Sequence, residues 1–297
     1  IYESLNKPVV IITHSDMEAK NLYEDLNLYT NNVSYFPAKE VVFYNVDAIS
    51  GDLRWARLRV IEEILERKKG IVVTSIDAFA SEYTPRKLFK EHKLSLKIGK
   101  EVNFEEISKT LTEGGYERVE IVEGKGEFSL RGGLLDVFPP DSVYPYRIEL
   151  FGDEIESIRT FNVESQRSID KVKTVKIFPA KEMIVNENVV EEALKSIKSE
   201  LDEIVKNSSH KERIEKLRTV VNRNVEAFRE THTFEAIDSY LPFLYKDSEN
   251  FFDYLDKYVI VLDNRARTLG KLDSIYTEFN ENYSIFLERG DILPSQS

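Results

Sequence analysis

Glu127-Phe128-Ser129-Leu130-Arg131-Gly132-Gly133-Leu134-Leu135-Asp136-Val137-Phe138 reads as two short strands on either side of an Arg-Gly-Gly step. Tyr146-Arg147-Ile148-Glu149-Leu150-Phe151-Gly152-Asp153-Glu154-Ile155-Glu156-Ser157-Ile158-Arg159-Thr160-Phe161 reads as two more, with Gly152-Asp153 placed for a tight hairpin turn. Just upstream, Val119–Val122 is expected to be a further strand. Leu94-Ser95-Leu96-Lys97-Ile98 alternates apolar and polar residues, as a half-exposed strand does. Between them, Asn103 with Glu106 three residues later marks a helix start, and Gly114-Gly115 its end. Strands in succession around one helix predict a small α+β domain.

The flanking sequence has a different grammar. Val9-Val10-Ile11-Ile12-Thr13 is a continuous apolar run, as in a strand buried on both faces. Ser15 or Asp16 can cap a helix carrying Met17, Leu22 and Leu26, and Val33-Ser34-Tyr35-Phe36 is a second strand. Asp52 can cap a longer helix with Leu58, Ile61 and Leu65 at helical spacing. Gly70 suits its C′ position, and Ile71-Val72-Val73-Thr74 is a third strand. Strand, helix, strand, helix, strand predicts parallel pairing through crossovers. Helices are expected over Asn188–Lys206 and Lys211–Glu230. Tyr258-Val259-Ile260-Val261-Leu262 is a buried-type strand returning to complete the first sheet, and a last helix follows Asp263-Asn264. The fold class is therefore α/β, a parallel-sheet domain with an inserted α+β domain. The expected boundaries are 1–84 and 166–297 for the outer domain and 85–165 for the insert.

Composition narrows the function. The chain has 297 residues, 41% hydrophobic and 32% charged, an ordinary globular balance. Its net charge of −12 opposes generic binding to a phosphate backbone, which depends on clustered Lys and Arg. With no cysteine there are no disulfides, thiolate nucleophiles or Cys-based zinc sites, and a reducing, cytoplasmic setting is the simplest expectation. No apolar run approaches a membrane span, and no membrane partner is expected. Ile1 opens the chain in mid-pattern, so it is expected to be a piece of something longer.

No catalytic constellation is visible, and no cofactor or metal is expected. Gly124-Lys125-Gly126 lacks the upstream glycine and the hydroxyl of a phosphate loop and reads as a turn. His14, His92, His210 and His232 are scattered. Glu62-Glu63 and Glu105-Glu106 suit solvated helix faces. Ser75 and Ser129 lie in strand contexts without a nucleophile elbow.

Two strings carry a family resemblance. Gly126-Glu127-Phe128-Ser129-Leu130-Arg131-Gly132-Gly133-Leu134-Leu135-Asp136-Val137-Phe138-Pro139 and Pro145-Tyr146-Arg147-Ile148-Glu149-Leu150-Phe151-Gly152-Asp153-Glu154-Ile155-Glu156-Ser157-Ile158-Arg159 resemble the partner-binding domain shared by UvrB and Mfd, the bacterial transcription-repair coupling factor. Phe36-Pro37-Ala38-Lys39-Glu40 and Phe178-Pro179-Ala180-Lys181-Glu182 resemble the segments flanking that domain. Only Asn45–Arg54 joins strand to helix before Trp55, too short for the long DNA-inserting hairpin of UvrB. Tyr240-Leu241-Pro242-Phe243-Leu244-Tyr245 and Leu293-Pro294-Ser295-Gln296-Ser297 also resemble the coupling factors. The likeness is thus to their N-terminal, UvrB-like region and covers essentially the whole chain.

That resemblance implies a degenerate helicase-like domain of P-loop NTPase type, carrying an insert that binds the damage-recognition ATPase UvrA. It implies no enzymatic activity here. The parent would be an ATP-driven DNA translocase whose motor lies beyond Ser297 and whose other regions meet RNA polymerase, duplex DNA and ATP. In the family a later domain masks the docking face, so this chain alone is expected to bind constitutively. By motif position the contact residues fall on Arg131, Arg147 and Phe151.

The bare chemistry is compatible. Arg147, Glu149 and Phe151 share one strand face, and a bulge at Gly132-Gly133 could turn Arg131 outward. The alternative is that the arginines pair with Glu149 and Glu127 while Phe151 is core. Two other functions compete with docking: a UvrB-type nucleotidase and a DNA-binding module. Trp55, beside Arg54, Arg57 and Arg59, is the candidate DNA contact. For Trp55, Tyr83, Phe251, Phe252 and Tyr254, packing is the expected role ahead of base stacking.

Overall fold

The computed structural model describes residues 7–39, 51–232, 234 and 236–296. The short connection at 45–50, on which the distinction from UvrB turned, lies outside them. The strands are β1 (Val9–Thr13), β2 (Val33–Phe36), β3 (Ile71–Ser75), β4 (Glu82–Tyr83), β5 (Leu94–Lys97), β6 (Glu117–Arg118) and β7 (Glu127–Arg131). They continue as β8 (Leu134–Val137), β9 (Tyr146–Phe151), β10 (Glu154–Phe161), β11 (Ser168–Val172), β12 (Thr174–Ile177), β13 (Glu249–Asn250) and β14 (Val259–Leu262). The chain forms two compact units. The first holds the described residues within Ile1–Ile49, Ile64–Pro85 and Val185–Ser297, and the second those within Ser50–Glu63 and Arg86–Ile184.

In the first unit, β1 lies between β3 and β14, giving a parallel sheet in the order β14-β1-β3-β2. Burial of β1 and β3 on both faces explains their unbroken apolar runs. Ser15 caps the helix Asp16–Asn27 by accepting from Glu18 N. The carboxylate of Asp16 accepts from Ala38 N at 3.0 Å, from Ser75 Oγ at 3.4 Å and from the Tyr35 hydroxyl, joining the carboxyl ends of β1, β2 and β3. Burial first, and then Asp16, raises the pKa of that phenol. Two helices, Glu187–Asn207 and Lys211–Thr231, pack through Ile197, Leu201, Leu217 and Val221.

Two local expectations for this unit need correction. Arg67, at φ +54, takes the left-handed conformation after the helix Gly51–Leu65, and Gly70 does not. Gly70 instead permits a close backbone approach: Ile71 N donates to Asn32 O at 2.8 Å, and a Cβ on Gly70 would lie 3.1 Å from that oxygen. The strand β14 does complete the sheet, pairing Val9 with Val259 through Ile12 with Leu262. It is an edge strand with Ile260 and Val261 exposed, so its apolar run does not signal burial on both faces.

In the second unit a six-stranded sheet runs β11-β10-β9-β8-β7-β6, antiparallel except for β6 with β7. A separate antiparallel pair joins β5 to β12. The helix Phe104–Glu113, capped by Asn103, packs Ile107 and Leu111 against the sheet's inner face with Phe128, Leu135, Ile148 and Ile158. Val119–Val122 is not a strand. The ladder stops at Arg118, Ser129 Oγ bonds to Glu120 O, and Val122 turns into a small cluster with Phe138 and Phe161. The strands β11 and β12 had no forecast in the sequence.

The helix Gly51–Leu65 belongs to this unit as far as Glu63. Trp55 packs on the core, and a Cβ at Gly126, where φ is +81, would meet its ring at 3.0 Å. Arg57 reaches Glu182 through Nε at 2.7 Å and Nη2 at 3.0 Å, with side chains only 2% and 12% exposed.

Candidate partner-docking face

Strand register sorts the side chains of the second unit's sheet onto two faces. Phe128 opposite Val137, and Leu130 opposite Leu135 opposite Ile148, belong to the inner, apolar face. The other face carries the row Ser129–Asp136–Arg147–Arg159–Lys171 and the row Arg131–Leu134–Glu149–Ser157. Residues opposite one another across a ladder share a face, so three arginines, one lysine and two carboxylates gather on one side. Phe151 ends β9, two residues past Glu149, and is 80% exposed.

At the centre is Asp136, 1% exposed. Its Oδ1 accepts from Arg147 Nε at 2.7 Å, and its Oδ2 accepts from Arg147 Nη2 at 2.8 Å and from Arg131 Nη2 at 3.1 Å. Such a two-point grip is the strong form of an Arg–carboxylate pair. Gln166 holds Arg147 from the other side: its carbonyl accepts from Nη1 at 3.2 Å and its Oε1 from Nη2 at 3.0 Å. The guanidinium also lies over the Phe161 ring, 4.4 Å from the centroid. The hydrogen bond to Asp136 raises the Arg147 pKa, so the cation is permanent. The Arg147 side chain is 16% exposed and that of Arg131 49%.

A second pairing lies alongside, in which Arg159 meets Glu149, and Ser157 Oγ donates to Glu149 at 2.8 Å. The alternative pairings, with Glu149 and Glu127, are not the ones found. Asp136 accepts hydrogen bonds from both candidate arginines, Glu149 meets Arg159, and Glu127 binds the backbone N–H groups of Glu123 and Gly124 at 2.8 Å.

The structure brings Arg131 and Arg147 together and sets Phe151 on the same strand face. Arg131 is turned outward by a hairpin rather than a bulge: it pairs with Leu134 across a two-residue loop in which Gly132 has φ +59. A Cβ at Gly133 would sit 3.2 Å from Leu150 O, so this loop also needs its second glycine. Gly152, at φ +63, begins the next tight turn, between Phe151 and Glu154. Phe151 is not core.

Asp136, Gln166, Phe161 and Arg159 were missed as members of this site. Asp136 did carry a signal, a lone carboxylate between Leu135 and Val137 in an apolar strand. Such a residue must have a partner to be buried. The other three had none, because they lie on β10 and in the loop after it, and only the fold folds them back.

The competing candidates recede. Arg54 stacks on Trp55 at 4.6 Å, Arg57 is buried against Glu182, and Arg59 lies 3.7 Å from Glu63. That helix start does not present a clustered basic patch. Tyr83 and Tyr254 are buried, Phe251 stacks on Phe36 at 4.8 Å, and Phe252 packs edge-on against Phe79 at 4.3 Å. Lys125 of the Gly-Lys-Gly turn donates to Pro140 O at 2.6 Å. Among the described residues no group of three or more His, Asp or Glu could hold a metal ion, and no helix is long and apolar enough to cross a membrane.

Residues 94–183 match the UvrB interaction domain family. Over 291 residues the chain is 32% identical to the transcription-repair-coupling factor of Bacillus subtilis, covering 97% of this chain and 25% of that protein. The coupling factor of Staphylococcus haemolyticus is 28% identical over 299 residues, and that of Staphylococcus aureus strain Mu50 is 30% identical over 310, each with 25% of its length covered. The chain thus spans about a quarter of these relatives. Arg131, Asp136, Arg147 and Phe151 all fall inside the segment that matches the UvrB interaction domain family, in a chain that aligns almost end to end with part of the transcription-repair-coupling factors.

Proposed function

We propose that the outer face of the second unit's sheet docks UvrA, and that the chain recruits this ATPase for a transcription-repair coupling factor without catalysis of its own. The observation that carries this reading is two arginines gathered on one buried carboxylate, leaving Arg131 half exposed, on the strand face that ends in an exposed Phe151. Two guanidiniums against one carboxylate leave a net positive charge on a protein of net charge −12. Such a face suits an acidic partner, and an exposed phenylalanine can fill a pocket beside it.

In this reading the first unit is a degenerate helicase-like domain and the insert, 85–165 in the sequence division, is the docking domain. A carboxylate at Asp16, on the strand ends where α/β sheets bind ligands, opposes a phosphate there and favours the non-catalytic role. RNA polymerase, duplex DNA and ATP would be met by other parts of an ATP-driven DNA translocase in the cytoplasm, and this chain needs no cofactor. The test is titration of the chain with purified UvrA. Binding should saturate, and Arg131→Ala should weaken it about thirtyfold, the effect of about 2 kcal/mol at an interface hot spot. Equal affinity of the folded variant and the wild type would overturn the assignment.

A further inference from the structure

We propose that Asp136 is a positioning residue of this face, a buried carboxylate that fixes Arg131 and Arg147 as one pre-set pair. The inference rests on the UvrA-docking reading and deepens it. Asp136 is closed to any partner at 1% exposed, so its influence must pass through the arginines. The same atom, Oδ2, accepts from Nη2 of both Arg147 and Arg131, so neither guanidinium can move without disturbing the other's acceptor.

The two arginines then play different parts. Arg147 directs four of its five N–H groups inward, two to Asp136 and two to Gln166, and stacks on Phe161. Gln166 keeps its grip from a left-handed backbone, φ +56, a conformation that costs a non-glycine residue energy and persists only where its surroundings hold it. Arg131 makes a single side-chain hydrogen bond, to the shared oxygen, and its remaining donors can meet an incoming carboxylate. Arg147 is thus the fixed anchor, Asp136 the bridge and Arg131 the contact. Ordering two long side chains before the partner arrives is worth on the order of tenfold in affinity.

The test is a double-mutant cycle read as affinity for purified UvrA, on the whole chain and well below its melting temperature. Asp136→Asn, which keeps the shape and removes the charge, should weaken binding about tenfold alone but no more than about twofold on top of Arg131→Ala. A purely structural role would lower the melting temperature and leave the affinity of the folded protein unmoved. Equal loss in both backgrounds overturns the coupling. If Arg131→Ala weakens binding and a folded Asp136→Asn does not, the positioning role alone is overturned. If Arg131→Ala binds like the wild type, the docking reading falls and takes this inference with it. Should Asp136→Asn fail to fold, Arg131→Lys, Arg147→Lys and their combination keep every charge. A shared carboxylate makes the combined loss smaller than the product of the single losses, and equality with that product overturns it.

Discussion

Two of the second unit's arginine–carboxylate clusters invite comparison. Arg57 meets Glu182 with two bonds, and Arg147 meets Asp136 with two bonds. The first cluster is closed, with both side chains almost out of water. The second is left open by a third member, Arg131, which shares the carboxylate and faces solvent. A closed pair answers only to the fold. An open one keeps its geometry fixed while still presenting charge, as a docking surface requires. The difference lies in exposure: no side chain of the first cluster is more than 12% exposed, whereas Arg131 of the second is 49% exposed.

Substitutions in the two clusters should therefore separate stability from binding. The largest effect is expected for Arg57→Ala, which takes a two-point partner from Glu182 at a nearly dry site and should cost about 3–5 kcal/mol in denaturant melts. Its remaining folded population should bind UvrA normally. A loss under about 1 kcal/mol would erase the contrast. Next comes Arg147→Ala, which takes from Asp136 its two-point partner and should cost about 2–3 kcal/mol of stability as well as affinity. That exceeds the change of about 0.5 kcal/mol usual for a solvated surface side chain. Unchanged melting of this variant would put Arg147 back on the surface. Arg131→Ala should show the converse, a stability change within about 0.5 kcal/mol together with the thirtyfold loss of UvrA affinity, about 2 kcal/mol.

A neutral bond calibrates these charged ones. The Tyr116 hydroxyl donates to Phe178 O at 2.6 Å, fully buried, and Tyr116→Phe should cost about 1–2 kcal/mol at neutral pH. Burial holds this phenol protonated well above its ordinary pKa. Above about pH 10 an unfolded chain would shed a proton that the fold retains, so stability falls as pH rises, until the folded phenol itself ionises. Tyr116→Phe should flatten part of that alkaline decline, and an unaltered slope would assign it to other tyrosines.

Much of the fold was legible because its signals are local. The unbroken apolar runs of β1 and β3, the Asn103 cap and the Gly152 turn each follow from a few neighbouring residues. What failed depended on distant partners. The run in β14 looks like β1, yet whether it has neighbours on both sides is decided by sheet order. Arg131 and Phe151 could be singled out by motif position, and Asp136 could have been found as a charge in an apolar strand. Gln166 could not, since nothing in Gln-Arg-Ser predicts that the loop after β10 swings its carbonyl onto Arg147. Site membership here is a matter of cross-strand register, which no short window of sequence contains.

The contribution of Trp55 and Arg57 to the second unit has a practical corollary. A contiguous stretch cut at 86–184 would keep Glu182 but lose its cation, and would leave the space beside Gly126 without its indole. A transplant of the docking surface into another scaffold must carry two pieces of chain, one of them the helix as far as Glu63. The unit's edges in sequence are not its edges in space, and a graft that respects only the former should express as an aggregating, partly hollow domain.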